Sequence, residues 1–211
     1  MIVSVERLED RAIGAPPAHY PPTSKPAGCL LVLAHGAGAG QRHPFMVSVA
    51  RGLADRGIDV VTFDFPYIRE KRKVPDKAPA LEAAFRQAIE EARSTVGRAH
   101  RLFIGGKSMG GRMATHLASQ GLDDLRGVVA LGYPLHPPGK PEQPRVAHLP
   151  AIAVPVLIVQ GERDAFGTPA ELRPVIESMR AAVALHVVPG GHSFAVNASV
   201  LDTAAAWVQS V

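Results

Sequence analysis

The sequence of 211 residues has little cysteine and no long apolar run. Cys29 is the only cysteine, so no disulfide can form within the chain and cysteine-based zinc sites are excluded. Because Cys29 opens the apolar run "CLLVLAH", we expect it to be a small buried hydrophobe. No run approaches the roughly 20 apolar residues that a membrane-spanning helix needs.

Strong charge of one sign is also missing. The chain has 23 basic and 19 acidic residues, a formal net charge of +4. No nucleic-acid-binding signature surrounds the basic cluster, which we interpret as a solvated loop. Charged residues also interrupt the N-terminal stretch where a secretory signal would need an apolar core. We therefore expect a cytoplasmic protein that binds neither nucleic acid nor membrane. The basic cluster comprises Arg69, Lys71, Arg72 and Lys73, and the N-terminal charges are Glu6, Arg7, Glu9 and Asp10.

Six apolar runs predict the strands of a mostly parallel sheet. They do not alternate with polar residues, which is typical of strands buried on both faces. Segments with helical periodicity lie between them, notably 80–96, 172–182 and 197–209. The pattern predicts one α/β domain over 1–211, with a doubly wound sheet of about six to seven strands and helices on both faces. The runs are 29–35, 59–65, 101–106, 127–133, 154–161 and 184–190.

Proline marks the expected helix boundaries and loops. Pro79 is predicted to be the first residue of its helix, and Thr168 to Glu171 has the spacing of a capping box. Pro174 predicts a kink or a late restart in the helix that follows. The Pro-rich segment 14–28 predicts an irregular entry or a distorted edge strand. Seven prolines in 134–155 predict a loop-rich flap in place of a large lid.

The glycine clusters do not fit nucleotide-binding motifs. In "GGKS" (105–108), a P-loop would need glycine at position 101, which is Arg101. In "HGAGAG" (35–40), a dinucleotide fingerprint would need its third glycine at Gln41 or His43. "VVTFD" ends at Asp64 like a Walker B strand, but such runs are common in α/β proteins.

The same region fits a nucleophile elbow. Gly106-Lys107-Ser108-Met109-Gly110 has the form G-x-S-x-G, between an apolar run and a segment with helical spacing. The glycines leave room where strand and helix pass closely, and the serine sits in a strained turn. The motif predicts Ser108 as a nucleophile.

A serine nucleophile needs a base and an acid that orients it. Asp164 follows the run 154–161 and His192 follows the run 184–190, so the order is serine, acid, histidine. Glu162 is an alternative acid, but it lies hard against the strand end. His186 is predicted to lie within a strand. The remaining candidate histidines are expected to be mostly solvated: His19, His100, His116, His136 and His148.

The glycine-rich loop after the first run has a place in this chemistry. Attack on a carbonyl builds negative charge on oxygen, which two backbone N–H groups can stabilise. We expect these donors to be Met109, directly after the serine, and Ala37, in the loop. His43-Pro44-Phe45 and Phe65-Pro66-Tyr67 follow strand ends, where they either line the site or pack the loops. Lys107 is expected at the surface or as a loop anchor.

Taken together, these motifs resemble the α/β-hydrolase superfamily. More narrowly, the chain is similar to a small lidless group related to testis-expressed hydrolase-like proteins and to a regulatory subunit of the NSL histone acetyltransferase complex. The resemblance runs through "LAHGAGAGQRHPFM", "DFPYIREKRKVPDKAP", "GGKSMGGRMA", "QGERDAFG" and "PGGHSFAV". It implies the fold and the three triad positions, and some members serve as interaction modules. Dienelactone hydrolases are similar in outline, but they have cysteine where this chain has Ser108.

We therefore expect a serine hydrolase that cleaves a small ester or thioester through an acyl-enzyme, with no metal or organic cofactor. Ser108, Asp164 and His192 are the predicted catalytic residues. The alternative is a weakly active or non-catalytic interaction module on the same fold. The sequence does not give the acyl-chain length or the oligomeric state.

Overall fold

The computed structural model describes residues 16–211, so the charged N-terminal residues lie outside it. Seven strands form one sheet in the order β1-β3-β2-β4-β5-β6-β7. Only β1 is antiparallel, and it pairs with β3 at the edge, where the Pro-rich segment was predicted to form a distorted edge strand. The strands are β1 Ala18–Tyr20, β2 Cys29–Ala34, β3 Asp59–Phe63, β4 Arg101–Lys107, β5 Leu125–Leu131, β6 Val156–Gly161 and β7 Val183–Val188.

Helices cover both faces of the sheet, which confirms the predicted doubly wound architecture. One apolar core lies between the sheet and α1 and α6, and Cys29 is buried in it. The other core lies under α3, α4 and α5. Strands that are buried from both sides explain why their sequences are continuously apolar. The helices are α1 Pro44–Ala54, α2 Pro66–Arg69, α3 Ala78–Val96, α4 Met109–Ser119, α5 Pro169–Glu177 and α6 Ala198–Ser210.

The helix boundaries differ from the predictions in two places. α3 begins at Ala78, so Pro79 is its second residue rather than its first, still within the turn that lacks internal N–H partners. The capping box of α5 is present, with Thr168 and Glu171 bonded reciprocally. α5 runs past Pro174 without a restart and ends at Glu177, earlier than predicted. A proline removes only one hydrogen bond, and the packing of Leu172 on the core holds this short helix.

The insert between β5 and β6 leaves the carboxyl ends of the strands open. Its only regular structure is one turn of 3₁₀ helix, Leu149–Ala151. Within residues 16–211, therefore, no helical lid covers this edge of the sheet, as the prolines predicted. No helix in this part of the chain is both long and apolar enough to cross a membrane.

Candidate active site

Ser108 occupies a strained turn between β4 and α4. Its φ of 51° and ψ of −113° lie in a region that side chains rarely adopt. The turn is fixed by both of its backbone groups: the N–H donates to Leu131 O at 3.0 Å, and the carbonyl accepts from the N–H of Arg112 at 3.0 Å. The fold therefore holds the Ser108 hydroxyl at the carboxyl edge of the sheet.

Close packing explains the two glycines of the motif. A Cβ on Gly106 would overlap Ala34 O and lie 2.6 Å from the carbonyl carbon of Gly110. A Cβ on Gly110 would overlap the same Ala34 oxygen and lie 2.7 Å from His35 O. The elbow thus passes not only its own strand but also the end of β2, and any side chain would push these elements apart.

A chain of short hydrogen bonds joins the predicted serine, histidine and acid. His192 Nε2 lies 2.8 Å from Ser108 Oγ, and His192 Nδ1 lies 2.8 Å from Asp164 Oδ2. An ionised carboxylate only accepts hydrogen bonds, so Nδ1 of His192 carries a proton. In a neutral ring Nε2 is then bare and accepts from the Ser108 hydroxyl. The arrangement can move the serine proton onto the imidazole.

Asp164 is held in place by two further donors. Its carboxylate is 1% exposed and accepts from the backbone N–H of Phe166 at 2.8 Å and from Gln160 Nε2 at 2.9 Å. A buried charge is costly unless it is hydrogen-bonded. These donors fix the carboxylate with its oxygens facing His192. The ring of Phe166 lies against the His192 ring, with centroids 4.1 Å apart.

Gln160 is a site residue that the sequence reasoning missed. It is fully buried on β6, where its Oε1 accepts from the N–H of Tyr133 at 2.8 Å and its Nε2 donates to Gly167 O at 2.7 Å. The side chain thereby ties the end of β5 to the loop of Asp164. A polar residue inside the apolar run "VLIVQG" was the available signal, since buried polar groups need partners.

The rival acid and histidine lie elsewhere. Glu162 is half exposed and contacts Arg163 at 3.7 Å. His186 is in the edge strand β7, where its Nε2 lies 3.1 Å from Ser199 Oγ. Neither side chain reaches the serine, whereas His192 contacts it directly and Asp164 contacts His192.

A buried histidine shapes the glycine-rich loop. His35 Nε2 accepts from the N–H of Phe65 at 3.1 Å, so Nδ1 carries the proton and donates to Gly36 O at 2.8 Å. Burial lowers the pKa of His35, which keeps the ring neutral in this role. Asp64, the residue that resembled a Walker B acid, accepts from the backbone N–H of Gln41 at 2.7 Å. These contacts hold both ends of the loop.

The candidate residues meet in a cavity of about 460 Å³. Ser108, His192, Ala37 and Met109 all line it, so the expected oxyanion donors face the same space as the serine. In the described part of the chain, neither the Ala37 nor the Met109 N–H donates to another protein group. A volume of this size suits a small ligand.

One of the two aromatic segments lines this cavity. His43 and Phe45 contribute to its wall. Phe65 and Tyr67 instead have no exposed surface and pack in the core. The sequence left open whether each segment lines the site or packs the loops. The first segment lines the site, whereas Phe65 and Tyr67 of the second are packed inside the protein.

Lys107 anchors the loop that carries His192. Its Nζ donates to His192 O at 2.6 Å and lies 5.6 Å from the ring centroids of both Phe45 and Phe194. Burial lowers the pKa of Lys107 to about 8, while the charge of Asp164 opposes that shift. The residue thus links the end of β4 to the histidine loop.

Several histidines expected in solvent are instead paired. His136 is buried, with Nε2 at 3.2 Å from Glu171. The rings of His116 and His148 are in contact, with centroids 4.0 Å apart and planes tilted by 45°. Each fills space between elements distant in sequence, which local patterns do not report. Within residues 16–211, no three histidine, cysteine or acidic side chains are arranged to hold a metal ion.

The family model described as "Alpha/beta hydrolase domain" matches residues 27–211, nearly the whole chain. The chain belongs to the α/β-hydrolase family. The match spans the elbow, the glycine-rich loop and the loops of Asp164 and His192.

Solved structures of other α/β-hydrolases share the fold. A serine hydrolase homologue from Coxiella burnetii is 15% identical over 92% of this chain and 89% of that one, with a TM-score of 0.71. A monoacylglycerol lipase from Paleococcus ferrophilus is 18% identical over 92% and 98%, with a TM-score of 0.70. A dienelactone hydrolase from Anabaena variabilis is 19% identical over 90% and 87%, with a TM-score of 0.67. The family and these neighbours support a hydrolase.

Proposed function

We propose that this α/β-hydrolase cleaves a small ester or thioester through an acyl-enzyme intermediate. The observation that carries the proposal is the continuous chain from Ser108 Oγ through His192 to the buried carboxylate of Asp164, with each step 2.8 Å long. A serine hydroxyl is a weak nucleophile until a base takes its proton, and this chain supplies that base.

In the first half-reaction, Ser108 Oγ attacks the acyl carbon while its proton passes to His192 Nε2. Asp164 stabilises the imidazolium and keeps Nδ1 facing it. The tetrahedral intermediate then expels the alcohol or thiol, which takes the proton from Nε2. The acyl group is left on Ser108. In the second half-reaction water attacks the acyl-enzyme, with His192 again accepting and returning a proton.

The backbone N–H groups of Met109 and Ala37 are the proposed oxyanion donors. Met109 is the first residue of α4, so its N–H has no acceptor within the helix and benefits from the positive end of the helix dipole. Ala37 lies in the loop that His35 holds through Gly36. Fixed donors of this kind stabilise charge as it develops and need no reorganisation during the reaction.

The proposal also includes the group to which the chain belongs within the α/β-hydrolase family and its location in the cell. The five sequence blocks from "LAHGAGAGQRHPFM" to "PGGHSFAV" support membership of the group related to testis-expressed hydrolase-like proteins and the NSL regulatory subunit. A cytoplasmic location fits a chain whose one cysteine is buried and free. Some members of that group serve as interaction modules. A panel of short acyl esters separates the alternatives, because a non-catalytic module would bind a partner and hydrolyse none of the panel, and a weakly active module would hydrolyse it only slowly.

A fluorophosphonate probe tests the proposed nucleophile. We expect wild type to be labelled under native conditions, with the adduct mapped to Ser108 by peptide mass spectrometry, and Ser108→Ala to be unlabelled. Ser119→Ala, at the far end of α4, is the matched control and is expected to label like wild type. An adduct on Ser193, the other serine that lines the cavity, would contradict the assignment.

A further inference from the structure

Two arginines line the cavity without a carboxylate partner. Arg112 lies one turn along α4 from Ser108, and Arg145 lies in the loop between β5 and β6. Neither guanidinium forms an ion pair within residues 16–211, and the Nε of Arg112 is buried with no hydrogen-bond partner. Leaving a desolvated donor of a charged group unpaired is costly.

The fold does pair an arginine that it buries for structural reasons. The side chain of Arg93 is 8% exposed, and its Nη1 lies 3.3 Å from Asp124 Oδ2. More exposed arginines also have acidic partners, as Arg56 has Asp202 at 2.6 Å. Several other arginines within residues 16–211 also lack an acidic partner, so what sets Arg112 apart from the buried Arg93 is its buried Nε, which has no hydrogen-bond partner.

The two charges also repel each other, and no acid in the wall offsets them. The pKa of Arg145 is lowered by burial and then by the positive charge of Arg112. Lys107 and His43 line the same cavity, while no aspartate or glutamate of the described chain does. Asp164 lies behind His192, and its oxygens are occupied by His192, Gln160 and Phe166.

Both arginines are held in fixed positions by their backbones. Arg112 belongs to the first turns of α4, with its N–H bonded to Ser108 O. The Arg145 N–H donates to Leu135 O at 2.7 Å, and its carbonyl accepts from the Tyr133 hydroxyl at 2.7 Å. The backbone of each arginine is thus fixed beside the cavity, which reduces the entropy that is lost when an anion binds there.

We propose that Arg112 and Arg145 form an anion subsite, so that the acyl substrate of Ser108 carries a carboxylate or phosphate group. This inference rests on the proposed function for its acyl chemistry. Guanidinium groups bind both anions through paired N–H donors, and their charge-assisted bonds are stronger than neutral ones. The subsite would select among esters by charge, since a neutral substrate leaves both arginines unpaired.

The kinetic test compares two esters that differ by one methyl group, which removes the negative charge. The para-nitrophenyl ester of hydrogen adipate has a free carboxylate, and the same ester of methyl adipate is capped. We expect kcat/KM to favour the charged ester by about tenfold to a hundredfold, and the preference to shrink with added salt. Arg112→Met and Arg145→Met should each remove most of it. Arg126→Met, exposed on β5, is the control with the same change in net charge.

A binding test separates failure of the subsite from failure of the chemistry. Ser108→Ala is titrated with adipate and with inorganic phosphate by calorimetry, and the tighter of the two identifies the preferred anion. We expect binding to weaken about tenfold or more when either arginine is also replaced by methionine, and not with Arg126→Met.

Two results would overturn the subsite while leaving the serine hydrolase intact: equal kcat/KM for the charged and capped esters, or a preference that both methionine variants keep. If neither ester is cleaved, the binding test decides alone. Loss of binding in the arginine variants then supports the subsite, and absent or unchanged binding refutes it. The proposed function fails separately, when the fluorophosphonate probe does not label Ser108.

Discussion

The two ends of α4 carry the same kinds of side chain in different arrangements. At its start, Asp164, His192 and Ser108 form one line through a single imidazole. Further along, Glu82 Oε1 contacts His116 Nδ1 at 3.0 Å, and Thr115 Oγ1 contacts the Nε2 of a second histidine at 2.9 Å. That second ring belongs to His148. Both regions contain a carboxylate, an imidazole and a hydroxyl.

The difference is in how the imidazoles are used. At the start of α4, the His192 ring bridges the acid and the hydroxyl. A proton that moved from Ser108 to this ring would give it a positive charge, which the Asp164 carboxylate would stabilise. In the second region, His116 contacts the acid and His148 contacts the hydroxyl. The two rings only touch each other, with centroids 4.0 Å apart and planes tilted by 45°. The Thr115 hydroxyl also donates to Arg112 O at 2.7 Å. The two regions therefore differ in whether one ring touches both partners, and not in residue type.

Replacing the acid in each region is the strongest test of this comparison. Asp164→Asn should lower kcat for a neutral para-nitrophenyl ester by about 10⁴-fold, because an amide favours the ring tautomer with its proton on Nε2. Glu82→Gln should leave kcat within about twofold, since its imidazole does not reach the serine. Steady-state kinetics on both variants, with folding checked by circular dichroism, make the comparison. Equal losses would show that the second region also serves the reaction.

A second prediction concerns Gly106→Ala, a substitution that perturbs only the end of α4 that presents Ser108. In Gly106→Ala, the new methyl group would collide with Ala34 O and the backbone of Gly110. We expect unfolding free energy to fall by about 4 kcal/mol or more, measured by denaturant titration. Gly191→Ala is the matched control, because its nearest new neighbour lies 3.5 Å away. If the Gly106→Ala protein were as stable as that control, the elbow would have enough space for a methyl group at position 106.

A third prediction concerns acid stability in the second region. The pKa of His148 is lowered to about 3, first by burial and then by the charges of His116 and Arg112. Below pH 6.5, the ordinary pKa of a histidine, His148 binds a proton in the unfolded chain but stays neutral in the folded protein. The stability that depends on neutral His148 is therefore fully present above pH 6.5. It is lost as the pH falls toward the pKa of His148 in the folded protein. His148→Gln should reduce this loss by roughly 2 kcal/mol between pH 7 and about pH 4.5.

Chemical denaturation at the two pH values measures that difference. His186→Gln, on the exposed edge strand, is the control and should change the acid loss much less. If His148→Gln loses as much stability in acid as wild type, then His148 is protonated in the folded protein.

The sequence predicted most of the fold because its signals are local. Uninterrupted apolar runs located β2 to β7, and the glycine spacing around Ser108 located the elbow. The order of Asp164 and His192 after their strands predicted them ahead of Glu162 and His186, and hydrogen bonds join both to Ser108 in one chain. Each of these inferences needs only neighbouring residues and the rule that parallel strands end at one edge.

Residues whose role depends on distant contacts were missed or misjudged. Gln160 is recognisable only once Tyr133 and Asp164 converge on it. His148 was expected in solvent, but it contacts Thr115 across 33 positions of sequence. No sequence signal pointed to Arg112 and Arg145 either. The inference that they bind an anion depends on a cavity wall that, within residues 16–211, contains no aspartate or glutamate. Lys107 was expected at the surface or as a loop anchor, and only its bond to His192 O, 85 positions away, identifies the loop that it anchors.

The last prediction uses Lys107 to weaken the first region without touching its three central residues. Lys107→Met keeps an unbranched apolar stem but loses the bond to His192 O. We expect kcat for a neutral ester to fall about tenfold with little change in KM, because the substrate still binds while the histidine loop is less well fixed. Lys25→Met, an exposed lysine remote from the cavity, is the control.

The pH profile distinguishes this positioning role from a general loss of stability. With a pKa of about 8, Lys107 loses its charge in mildly alkaline solution, and a neutral amine is a weaker donor to His192 O. Wild-type kcat should therefore decline a few-fold above about pH 8, and the methionine variant should lack this decline. An identical alkaline limb in both proteins would assign the titration to another group. The anchor would then act through packing against Phe45 and Phe194 alone.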